Sequence, residues 1–166
     1  MGKKKILVDD LRLYYNGIFD MNELYREIDR LIADRGYAKN EKRSEEKVTE
    51  EGREISFELR PTKAFEKDFL GMVKMRFYMD NLTEAVVEKS GYKRKMLQGN
   101  IMVRFDGWTS TNIEFVWQTK PIFMFIRDVF DRLVYKSHWF KYEDEIASDT
   151  RYMHRHLKAF LNLYKY

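Results

Sequence analysis

Between residues 41 and 118 the chain carries runs in which apolar residues recur at every second position, and this alternation limits the fold more than any other feature of the chain. Ile55, Phe57 and Leu59 alternate with Glu54, Ser56, Glu58 and Arg60, and Val73, Met75, Phe77 and Met79 alternate with Lys74, Arg76 and Tyr78. A strand sends successive side chains to opposite faces, so a period of two defines strands with one apolar and one polar face. Further strands are expected over Thr83 to Glu88, over Lys93 to Phe105 with Ile101, Val103 and Phe105 inward, and over Thr109 to Gln118 with Ile113, Phe115 and Trp117 inward. Glu51-Gly52, Asp80-Asn81, Ser90-Gly91 and Asp106-Gly107 fall between these runs and read as the tight turns of an antiparallel meander. Gly71, Gly91, Gly99 and Gly107 are read as isolated turn glycines. The segment Pro61 to Asp68 is too polar and irregular for either element and is expected to be a loop.

On either side of this region the pattern changes. Lys5 to Tyr15 ends in alternation, with Leu11, Leu13 and Tyr15 opposite Arg12 and Tyr14, and Asn16-Gly17 is expected to end that first strand. Asp20, followed by Glu23, has the form of a capping box, and Met21, Leu24, Tyr25, Ile28, Leu31 and Ile32 make one helical stripe that Gly36 should stop. Pro121 opens a second helix, to Lys136, whose apolar residues cover about half its circumference. A third helix, Glu143 to Leu163, carries Ile146, Met153, Leu157, Phe160, Leu161 and Tyr164 on one stripe, and should pair with the second as an αα-hairpin. The expected class is therefore α+β: a strand, a helix, a meander of about six antiparallel strands, and two C-terminal helices packed on one face of the sheet. No repeat or Pro/Ser/Gly linker divides the chain, so residues 1–166 are expected to form one domain.

That order of elements resembles the helix-grip, START-like architecture, over most of the chain and without a diagnostic motif. The resemblance implies a long C-terminal helix held in a curved antiparallel sheet, often over a cavity for a hydrophobic ligand. The chain departs from that pattern in having two terminal helices rather than one.

Composition excludes several chemistries. The chain has no cysteine, which removes disulfides, thiolate nucleophiles and thiolate metal sites. No phosphate-binding loop, dinucleotide fingerprint or nucleophile elbow is present. His154 and His156 are two apart on a helix and point away from each other, and His138 has no partner at helical spacing, so no metal site is expected. The acidic groups Asp9-Asp10 and Glu143-Asp144-Glu145 each have a structural reading, the latter at a helix N-terminus where negative charge is favoured. No cofactor is expected, and binding is favoured over catalysis. No apolar run is long enough to span a membrane, and a cytoplasmic location is the expectation.

The charge of +4 is unevenly placed: residues 91–166 carry 13 Lys and Arg against 8 Asp and Glu. Arg151, Arg155, Lys158 and Lys165 are spaced to share one face of the last helix. The helix dipole accounts for Lys165 alone, because its influence fades within the last turn. A second basic and aromatic group, Tyr92, Lys93, Arg94 and Lys95, follows a turn.

Two functional readings follow. The first is a non-enzymatic binding or scaffold protein that contacts RNA or a ribonucleoprotein through Arg151, Arg155, Lys158 and Lys165, with Lys93, Arg94 and Lys95 in support and Tyr152 and Tyr166 available to stack on bases. The second is a carrier or sensor of a hydrophobic small molecule in an apolar pocket walled by Phe57, Met75, Phe77, Phe105, Phe115 and Trp117.

Overall fold

The computed structural model describes residues 3–66, 68–111 and 136–165. They form an α+β arrangement of six antiparallel strands with helices packed against the sheet. The strands are β1 (Lys3–Phe19), β2 (Glu41–Thr49), β3 (Gly52–Leu59), β4 (Thr62–Glu66), β5 (Phe69–Lys89) and β6 (Tyr92–Thr111). The helices are α1 (Met21–Asp34), after β1, and α2 (Lys136–Asn162), which runs into a 3₁₀ turn at Leu163–Lys165. The sheet order is β1-β6-β5-β3-β2. β5 pairs along its whole length with β6, and its other edge is shared between β4, at Phe69 to Met72, and β3, at Met75 to Leu82.

One face of the sheet carries the core. Leu13, Tyr15, Phe77, Val103 and Phe105 pack there with Leu24, Ile28 and Ile32 of α1 and Met153, Leu157 and Leu161 of α2. Asp20 caps α1, its side chain accepting from the backbone of Asn22 and Glu23. At the other end Gly36, with φ 77°, closes a Schellman motif: Gly36 N–H donates to Ala33 O and Tyr37 N–H to Ile32 O. On the outer face of α1 Arg30 is bound to Glu27 and Asp34.

Several expectations are corrected. Pro61 to Asp68 is not a loop; it contains β4, whose few residues are too short a run for alternation to be recognised. Asp80-Asn81 is not a turn but a β-bulge within β5, where Asn81 takes a φ of 52°. Asp106-Gly107 lies inside β6, and β1 runs past Asn16-Gly17 to Phe19. Only Ser90-Gly91 makes the expected two-residue hairpin, both residues having positive φ. The β2–β3 turn is Glu50-Glu51, one residue earlier than expected.

Gly71 and Gly107 likewise are not turn residues. A Cβ at Gly71 would stand 2.7 Å from Ile146, and one at Gly107 would stand 2.4 Å from the Thr150 hydroxyl. Ile146 and Thr150 are one turn apart on α2, so two glycines on neighbouring strands make the bare strip on which the helix rests. Gly99 has a third reason: its Cβ would meet Asp80 O of the bulge at 2.8 Å.

α2 is already helical at Lys136, seven residues before the expected Glu143. Glu143 and Glu145 are therefore not an N-terminal charge cluster: Glu143 takes Lys5 of β1 at 2.9 Å and Glu145 takes Lys63 of β4 at 3.0 Å. The expected Pro121 helix, and the strand beyond Thr111, lie outside the described residues.

Candidate nucleic-acid interface

The cations of this chain divide into two groups. Among the described residues one group is bound: Lys5, Arg12, Arg30, Lys39, Arg53, Arg60, Lys63, Lys74, Arg76, Arg94 and Arg104 each have a carboxylate within 3.5 Å. Arg151, Arg155 and Lys158 have no such partner among the described residues. The reason lies in the spacing. Met153, Leu157 and Leu161 turn one side of α2 into the core, which leaves these three on the opposite side, exposed, with no acidic residue after Asp149 in the sequence. Lys165 falls in the 3₁₀ turn that follows.

Their neighbours on α2 are not free. The His154 ring nitrogen Nε2 lies 2.8 Å from Arg12 O, and the ring meets Phe105 edge-on. Tyr152 is half-buried, with the Arg35 guanidinium 3.6 Å over its ring and His156 beside it. It is therefore engaged within the fold, and Tyr166 lies outside the described residues.

The second basic group splits by strand alternation. Lys93 and Lys95 are exposed and unpaired among the described residues. Arg94 points the other way and binds Asp20 at 2.6 Å and Glu23, joining the β5–β6 tip to the start of α1. Glu23 also accepts from the Tyr164 hydroxyl. The hydrogen bonds from Arg94 and Tyr164 hold the Glu23 carboxyl below its ordinary range, and burial followed by Glu23 raises Tyr164. Arg94 is thus a clamp rather than a free cation, a role that only the fold reveals.

Of the expected pocket residues, Phe57, Met75, Phe77 and Phe105 are buried in the packed core, Phe57 stacking on Phe77 at 4.4 Å. Phe115 and Trp117 lie outside the described residues. A cleft of about 640 Å³ lies elsewhere, between the β5–β6 tip and the end of α2. Ile18, Val87, Met96, Phe160 and Leu163 give it apolar walls, and Arg94 and Tyr164 border it.

One buried acid anchors α2. Asp149 is 2% exposed and accepts from the Tyr37 hydroxyl at 2.9 Å, with Arg35 at 3.8 Å. Burial raises the Asp149 pKa, and burial together with Asp149 raises that of Tyr37. The pair fastens α2 to the segment after α1 and is enclosed by the packing.

These features define an α+β protein with a cationic helix face and an apolar cleft. No family model matches the chain, and no curated protein or solved structure matches it. Among the described residues no helix is long and apolar enough to cross a membrane.

Proposed function

We propose that the protein is a non-enzymatic binding module that contacts RNA, alone or in a ribonucleoprotein, through the exposed face of α2. The observation that carries this reading is the distribution of unpaired cations. Among the described residues many Lys and Arg bind a carboxylate, whereas Arg151, Arg155 and Lys158 share one exposed face of α2 without one. Phosphates accept from such groups without regard to sequence, and binding releases their counterions. Lys93 and Lys95, on the side of the β5–β6 tip opposite Arg94, are a second, separate pair of exposed cations. Filter binding of mixed-sequence single-stranded RNA should weaken steeply with salt. Replacing all three α2 cations by Ala should reduce the slope of log K against log salt by about 2, at roughly 0.7 per lost phosphate contact. No binding at low salt, or an unchanged slope, would overturn the proposal.

A second reading rests on the 640 Å³ cleft, whose volume suits a small molecule. It is the reading that the helix-grip resemblance implies, moved from the core to the end of α2. Because Asp20 and Glu23 already neutralise Arg94, the cleft suits a neutral, largely apolar ligand. Native mass spectrometry of freshly purified protein should show a bound species that Phe160→Asp removes; ligand-free protein, unresponsive to added apolar probes, would exclude it.

A further inference from the structure

The face of the sheet turned away from the core carries three successive cross-strand rows. The register sets Arg12 opposite Arg104 and Arg104 opposite Arg76. Two positions further along it sets Tyr14 opposite Met102 and Met102 opposite Tyr78, and beyond that Asn16 opposite Asn100 and Asn100 opposite Asp80. Each row spans β1, β6 and β5.

The first row places three like charges side by side, which is unfavourable without compensation. Asp10 lies in a bulge of β1 with φ 54° and accepts from Arg12 at 2.7 Å and from Arg104 at 2.5 Å. Asp106 takes Arg76 at 3.3 Å. On β3 the register sets Glu58 opposite Arg76, and Glu58 is taken by Arg60 and Lys74, so five cations against three carboxylates leave this end of the face cationic.

In the middle row Tyr14 is 64% exposed and Tyr78 is 41% exposed. They stand on either side of Met102, two strand spacings apart, or about 10 Å. Two rings that clasp a third plane need about 7 Å between them, so the gap admits one planar ring. A cavity of about 400 Å³ occupies this place, lined in part by Tyr14, Tyr78 and Met102. Asn16, Asn100 and Asp80 close its far end. There Asn16 donates to Asn100, which donates to Asp80 Oδ1 at 2.8 Å. The second Asp80 oxygen receives no donor among the described residues.

We propose that this face is a slot for one base of single-stranded RNA, with guanine preferred. The base lies between Tyr14 and Tyr78 over Met102, and its phosphate reaches the arginine row, about 7 Å away along the strands. The donor edge of the base meets Asp80. Guanine offers N1–H and the N2 amino group side by side to a carboxylate, whereas uracil offers one N–H flanked by two carbonyls that the carboxylate repels. The inference deepens the RNA-binding reading and rests on it for the polymer, but the slot is on a different face from the α2 cations and can be tested separately.

The test follows the Met102 methyl resonance in protein carrying ¹³C-methyl methionine, assigned through Met102→Leu, during titration with GMP and with UMP. A base stacked above the methyl shifts it upfield. GMP should produce the shift at a concentration about tenfold lower than UMP, Asp80→Asn should abolish that preference, and Tyr14→Ala or Tyr78→Ala should weaken GMP about tenfold. A Met102 methyl that neither nucleotide moves would overturn the slot. If RNA still binds with the salt slope set by Arg151, Arg155 and Lys158, the α2 reading stands without the slot. If GMP moves Met102 while the Arg151→Ala/Arg155→Ala/Lys158→Ala variant binds RNA as the wild type does, the slot stands and the α2 reading falls.

Discussion

Thr150 of α2 sits directly over Gly107 of β6, leaving 2.4 Å between its hydroxyl oxygen and the place a Cβ would take. Thr150 is fully buried, and its hydroxyl donates to Ile146 O at 2.8 Å, so the side chain has no room to withdraw. Gly107→Ala should therefore lower stability by about 1 to 3 kcal/mol, as overpacking does. Thr150→Ala in the same chain should recover part of the loss, and urea unfolding of the two single variants and the double variant would measure the coupling.

A contrast within α2 tests how the helix is rotated. Leu157 is 1% exposed in the core, and Arg155 is exposed and unpaired among the described residues. Leu157→Ala should cost about 2 to 5 kcal/mol, and Arg155→Ala should stay within about 0.5 kcal/mol. Equal and large losses in urea unfolding would contradict the orientation of the cationic face.

The buried Tyr37–Asp149 pair makes a pH prediction whose sign follows from the direction of the shift. The Asp149 pKa is raised in the fold, so between its unfolded value, about 3.9, and its raised folded value the native state holds more protons. Over that window the contribution of Asp149 to stability falls as pH rises, and it is constant above. Asp149→Asn should gain on the wild type across the same window, measured as the difference between urea midpoints at each pH. Tyr37→Phe leaves the carboxylate without its hydroxyl donor and should cost about 1 to 3 kcal/mol at neutral pH.

Arg94 and its neighbours should separate stability from binding. Arg94→Ala removes the link to Asp20 and Glu23, so amides in the first turn of α1 should exchange faster while RNA affinity changes little. Lys93→Ala/Lys95→Ala should do the reverse.

Much of the fold can be read in the sequence because one-sided burial writes itself into periodicity. The alternation of Ile55 to Leu59 and of Val73 to Met79 identifies β3 and the middle of β5, and Asp20 and Gly36 mark the ends of α1. The exposed face of α2 follows from spacing in the same way. Strand length is less legible, since Asn81 in a bulge and Ser90 in a hairpin take nearly the same positive φ, and their dipeptides look alike. The glycines under α2 and the engagement of Arg94 depend on a partner that approaches from far along the chain. The Tyr14–Met102–Tyr78 row requires the register of three strands, which no local pattern contains.

The register of β1 also has a consequence for the order in which the chain matures. Among the described strands β1 pairs with β6 alone, so it meets this partner only after residues 97–111 have been synthesised. β5 and β6 need no such wait, because their two-residue turn joins neighbours. Loop closure favours the local pairing, and the long sequence separation of β1 and β6 slows theirs. In pulse-labelled hydrogen exchange during refolding, amides near Ser90-Gly91 should gain protection before those of β1. Until then the inward side chains of β1, Leu13 and Tyr15 among them, are exposed on a nascent chain, where a chaperone would meet them first.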